Sequence, residues 1–171
     1  MELDGCIREL LDIMKREVQS FNSISELLIL EKKTLIEFNT RELAEILERQ
    51  EDVFSSIACL EKSRITLLVK IGNMTGDNPE SLSVSRLATM VENPLRKKII
   101  EVGHILDTIH DDIRNKKASN SMLIKQGIMM VESDIRVILG AIGYPAAPNV
   151  GYGSNAQQNG LSGSVCIDGR M

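Results

Sequence analysis

The sequence predicts an all-α protein: a long antiparallel helical hairpin, a short helix and a long C-terminal helix forming an elongated bundle, followed by a flexible C-terminal tail. Three observations carry this. Apolar residues recur in steps of four and three over three long runs. Of the 171 residues 43% are hydrophobic but only 3% aromatic, with no Trp, so the core must be aliphatic, which suits helix-on-helix packing better than a sheet sandwich. The stretches between the runs concentrate Gly, Asn and Pro, which end helices and open turns. The length accommodates one domain and a tail, with the bundle expected over residues 1–143 and the tail over 144–171.

The first run spans residues 5–37 and places Ile7, Leu11, Met14, Val18, Phe21, Ser25, Leu28, Lys32 and Leu35 on one seam, with polar interruptions at Ser25 and Lys32. It ends at Phe38, Asn39 and Thr40. Asn39 is expected to cap a second helix, and Glu42, three residues on, completes a capping box. The second seam reads Leu43, Ile46, Gln50, Val53, Ile57, Leu60, Arg64, Leu67 and Ile71, with Gln50 and Arg64 expected at its solvated edge. A connection this short requires the two helices, each about 50 Å long, to fold back as an antiparallel hairpin.

Residues 72–80, GNMTGDNPE, read as the loop closing the second helix. A short helix follows from an N-cap at Ser83 through Leu87, Met90 and Val91, and Asn93 with Pro94 reads as the cap and first position of the next helix. From Pro94 the period runs through Leu95, Ile99, Val102, Leu106, Ile109 and Ile113, and after a polar patch resumes at Leu123. A helix unbroken to Ala141 would approach about 75 Å, about 25 Å longer than the hairpin. Its second half must therefore overhang, bend at Gly127 or be covered by something else. Gly140, Gly143 and Pro145 stop it. The remainder is rich in Gly, Asn, Gln and Ser and too poor in apolar residues to order itself; its end, LSGSVCIDGRM, is read as flexible chain rather than as a docking segment.

Residues 120–142, NSMLIKQGIMMVESDIRVILGAI, carry a surplus of apolar side chains. On a helical wheel Lys125, Glu132, Ser133 and Arg136 share one polar sector, while the apolar residues spread over about 200°, roughly twice what one packing partner covers. An edge formed by Leu123, Met130 and Val137 could seal against a neighbouring helix. Ile124, Ile128, Val131, Ile135, Ile138, Leu139 and Ile142 would still face outward. A helix buried from two sides gives the same pattern, and an outward apolar face marks a site for another chain. Met122, Met129 and Met130 cluster here as adaptable gap-fillers.

The remaining composition narrows the function. Net charge is −4, and residues 94–143 carry a surplus of only two basic side chains, which argues against a binder of phosphate backbones. Cys6, Cys59 and Cys166 are widely spaced and odd in number, forming neither a disulfide framework nor a metal knuckle, and read as reduced cytoplasmic thiols. There is no signal-peptide pattern and no apolar run of about 18 residues, so no membrane insertion is expected. The pairs Glu101 with His104 and Asp107 with His110 have helical ligand spacing but lie on one helix, where they cannot share an ion. No nucleophile-base arrangement or phosphate loop is present. No catalytic residue, metal site or cofactor is expected, and the chain is not expected to be an enzyme.

The segment carrying Asn120, Leu123, Ile124, Gly127, Ile128, Val131, Ile135 and Leu139 resembles the signature region of the FlgN-type flagellar export chaperones: an Asn, a Leu-Ile pair, a small residue and apolar positions every three or four. Residues 30–68 resemble the family's first turn and second helix, with Arg64 in a Leu-Glu-x-x-Arg context, and the likeness covers most of 5–143. The resemblance implies a cytoplasmic chaperone that holds the hook-filament junction proteins FlgK and FlgL before type III export, binding their C-terminal helical segment through its last helix. Leu123, Ile124, Ile128, Val131, Ile135, Ile138, Leu139 and Ile142 would then be the client-binding residues. Asp134, set amid these apolar positions, departs from the pattern. Self-association through the same helix, as in a non-catalytic adaptor or structural protein, and a contact with the export apparatus both stay open.

Overall fold

A computed structural model describes residues 2–142. Among them are four α-helices, α1 (Glu2–Glu37), α2 (Thr40–Thr75), α3 (Val84–Thr89) and α4 (Leu95–Ala141), a single 3-10 turn at Pro79–Ser81, and no strand. The all-α class, the hairpin, the short helix and the long last helix stand as the periodicity predicts. The expected tail over 144–171, and Cys166 within it, lie outside the described residues. The chain divides into two compact units, Met1–Ile124 and Lys125–Met171, with residues of α4 in each.

The core of the first unit is aliphatic. Ile7, Leu10, Leu11 and Met14 of α1 pack with Leu60, Leu67 and Ile71 of α2, with Leu82, Leu87 and Val91, and with Leu95, Ile99, Val102 and Leu106 of α4. Arg64 of α2 reaches Glu17 of α1, and Gln50 of α2 reaches Glu31, so α1 and α2 run antiparallel. Phe21 meets His110, Ser25 meets Asp112 and Leu28 meets Asn120, so α1 and α4 run parallel.

Local chemistry sets the joints. At the hairpin turn Phe38 adopts the left-handed conformation at φ 54°, and the Asn39 N–H returns to the Thr34 carbonyl at 3.0 Å, closing α1. Asn39 caps α2, its Oδ1 accepting from the Glu42 N–H at 3.2 Å. The expected capping box is altered: the Asn39 N–H is already committed to Thr34, so the Glu42 carboxylate takes the Asn39 side-chain amide instead, at 2.8 Å.

The second joint lies later than expected. Helix α2 continues through Gly72 to Thr75 and ends at Gly76, whose φ of 75° and N–H bond to the Gly72 carbonyl at 2.8 Å make the left-handed cap. Gly72 serves the return of the chain, because a Cβ there would stand 2.7 Å from the Asp77 carbonyl oxygen. Ser83 caps α3 through its Oγ and the Arg86 N–H, as predicted, but α3 stops at Thr89 rather than running through Val91. Arg96 Nε covers its end by donating to the Ala88 and Val91 carbonyls. The Asn93–Pro94 peptide is cis and Pro94 precedes α4; its carbonyl accepts the Lys98 N–H at 3.4 Å, so Pro94 takes the cap position expected of Asn93. Gly103 admits Val84, whose methyl would lie 2.7 Å from a Cβ.

The predicted seams need three corrections. On α1 the place given to Lys32 belongs to the buried Glu31, and Lys32 is exposed. On α2 Gln50, expected at a solvated edge, is buried because its Nε2 donates to Glu31 Oε2 at 2.8 Å. Arg64 is also drawn inward, its guanidinium lying 3.0 Å from the buried Glu17 carboxylate.

Candidate partner-binding surface

The described part of the second unit is the helix from Lys125 to Ala141 followed by Ile142. Its residues are strong helix formers with β-branched Ile and Val interspersed, and Gly127 and Gly140 lie within the helix, where an added Cβ would meet nothing. Advancing about 100° per residue puts Ile128, Val131, Ile135, Ile138, Leu139 and Ile142 in an arc about 100° wide. That arc is open. Ile128, Val131, Ile135, Ile138 and Ile142 are 49% to 64% exposed, and Leu139 is half-buried. None of the residues 125–142 is buried.

The expected sealing edge does not form within this unit, where Met130 and Val137 are both exposed, as is Met129. Spreading apolar side chains beyond the arc leaves them without a packing partner, so the wheel's wide apolar sector reflects a helix with little cover. Leu123, half-buried, and Ile124, exposed, belong to the last turn of the first unit. The side opposite the arc carries Gln126, Met129, Met130, Ser133 and Val137, and a polar strip adjoins the arc on its Leu139 edge. Lys125, Glu132 and Arg136 fall together, with Arg136 4.0 Å from Glu132 in an exposed i,i+4 pair. Asp134 is exposed beside the arc.

His104 is exposed, its Nδ1 3.2 Å from the Thr108 hydroxyl. His110 is half-buried, its ring set edge-on to Phe21 at 4.5 Å between centroids. Burial pushes the His110 imidazole below its ordinary value of 6.5, with Asp107 and Asp111 pulling it up and Arg114 and Arg64 pushing it down. Among the described residues no group of three or more His, Cys, Asp or Glu is placed to hold a metal ion. Cys6 is buried and Cys59 exposed, each a free thiol. No described helix is long and apolar enough to cross a membrane.

The first unit also draws in polar residues whose partners lie on other elements. Glu17 is 5% exposed, and burial raises its carboxyl pKa against the pull of Arg64. Asp112 is held below the ordinary carboxylate range by the Lys116 ammonium and the Ser25 hydroxyl. Asn120 is 2% exposed and donates to the Leu28 carbonyl at 2.9 Å. The signal for Asn120 was present in the four-three spacing that leads from Leu95 to it.

An aliphatic-cored helical first unit and a second unit whose helix leaves an apolar face open define an all-α protein with an exposed apolar helical surface among its described residues. The family model described as FlgN protein matches residues 1–160, and the chain belongs to the FlgN family of flagellar export chaperones. No curated protein and no solved structure gives a significant match.

Proposed function

We propose that the chain captures the C-terminal helical segment of hook-filament junction proteins, of the FlgK and FlgL kind, and keeps them competent for type III export from the cytoplasm. Family membership supports the chaperone role. The observation that carries the choice of surface is the open arc of Ile128, Val131, Ile135, Ile138, Leu139 and Ile142. Its i, i+3, i+4 and i+7 spacing is the spacing by which one helix seats in the groove of another. Leu123 and Ile124, in the last turn of the first unit, are proposed as client contacts as well.

The mechanism is capture without turnover, and the chain acts as a binding protein with no catalytic step. A client helix that covers the face removes apolar surface from water. About 600 Å² at about 25 cal/mol per Å² is a gross gain of about 15 kcal/mol. Association and ordering of the client consume much of it, which leaves binding reversible without nucleotide chemistry in the chaperone.

The paired substitution Ile128→Asp and Ile135→Asp tests the surface. Both side chains are exposed, so helix content by circular dichroism should be unchanged while co-purification with the junction protein is lost. Retained co-purification would remove this face from the mechanism. Light scattering over a concentration series distinguishes an oligomer seam: a stable dimer that the same pair of substitutions dissociates, with client binding intact, would replace the chaperone surface by a self-association surface.

A further inference from the structure

The four-three seam of α4 in the first unit changes character along its length. Leu95, Ile99, Val102, Leu106, Ile109 and Ile113 are apolar, and the next two positions of the same spacing are Lys116 and Asn120. Opposite them on α1 stand Ser25 and the Leu28 carbonyl. Lys116 Nζ donates to Ser25 Oγ at 2.6 Å and to Asp112 Oδ2, and Ser25 Oγ donates to Asp112 Oδ2 at 2.6 Å. One turn further, the buried Asn120 Nδ2 donates to the Leu28 carbonyl at 2.9 Å, while its Oδ1 is buried and meets no donor of the described chain. The Leu28 carbonyl belongs to the interior of α1, where it already serves the helix's own ladder. The bond to Asn120 is therefore a second claim on one acceptor.

An apolar residue at position 120 would bury surface without leaving a desolvated oxygen. An amide there forgoes that burial and loses the hydration of its carbonyl. A single buried polar residue on a helical seam trades stability for a defined alignment. We propose that Asp112, Lys116 and Asn120 form a polar clasp that aligns the end of the first unit's α4 on α1 and lets this segment open while the aliphatic core stays closed. The clasp is conditional by construction. Its outer members are partly solvated, its inner member is half-satisfied, and the side chains that anchor α4 firmly, Leu95 to Leu106, all lie earlier in the helix.

Hydrogen exchange with mass spectrometry on the full chain tests this at two levels. In the unmodified protein, amides of residues 112–123 should exchange through a local opening about tenfold or more faster than those of 95–106, whose opening requires loss of the core. Equal protection across 95–123 would overturn the clasp, whatever any variant does. Asn120→Leu should slow exchange over 112–123 by about tenfold, leave 95–106 within about threefold and raise the thermal midpoint. A variant that is less stable than the parent, that fails to fold, or that leaves 112–123 unchanged would make Asn120 an ordinary stabilising contact and overturn the proposal. Asn120→Asp adds a charge to the same buried position and should speed exchange over 112–123 selectively; no change there would count against the clasp.

Discussion

Glu17 with Arg64 and Glu31 with Gln50 match the two arms of the hairpin, residue numbers rising along α1 as they fall along α2. Each pair places a buried carboxylate where an aliphatic residue would pack, so sliding one arm past the other by a turn would strand it. The pattern of the sequence located Gln50 and Arg64 on the seam but not their burial, because what draws a polar side chain inward is a partner on another element. His110 links stability to pH. Its folded-state pKa is depressed, so the stability it contributes is present above 6.5 and is lost as pH falls below that value, where the unfolded chain takes up a proton that the folded one resists. Glu17, raised by burial, works the other way at lower pH: the folded chain takes up its proton first, which adds stability as pH falls toward 4.5. The thermal midpoint should therefore drop between pH 7.5 and 5.5, and His110→Leu, which keeps contact with Phe21, should flatten that drop. An unchanged slope in scanning calorimetry would assign the acid sensitivity elsewhere.

At the scale of elements, the joints were readable where one residue both breaks a helix and bonds its neighbour. Asn39 and Ser83 cap as their positions predict, because a short polar side chain reaches its own helix's N–H groups without help from the fold. Gly72 and Pro94 play other parts than their sequence context predicts. Gly72 answers the close approach of Asp77, a contact made only once the chain has turned back. Phe38 is the joint that sequence composition conceals, an aromatic in a left-handed position that a glycine would occupy more easily. The backbone cost for an L-residue there is about 1–2 kcal/mol, against about 0.5–1 kcal/mol of extra entropy lost by a glycine. The ring is 69% exposed and adds little packing. Phe38→Gly should stabilise the chain by about 0.5–1 kcal/mol in denaturant titration. A loss of stability would mean that the ring contributes more than its exposure implies.

For the whole molecule, the division after Ile124 separates a unit with a buried core from one whose described residues include no buried side chain. Stability and capture should then be separable. A chain ending at Ile124 should keep a cooperative thermal transition, since the residues of the aliphatic core all precede that point, and should no longer retain a junction protein in co-purification. Loss of the cooperative transition would show that residues beyond Ile124 take part in holding the core together.

Periodicity and capping are local properties read within a few residues, and they establish the helical class, the hairpin, the presence of the long helices and the apolar character of the last one. Which of those apolar residues are left open, and which polar residues go inside, follows from the tertiary structure alone. Those outcomes depend on what stands opposite each side chain: Glu31 opposite Gln50, Leu28 opposite Asn120, and solvent at Met130 and Val137, which no spacing along one helix can specify.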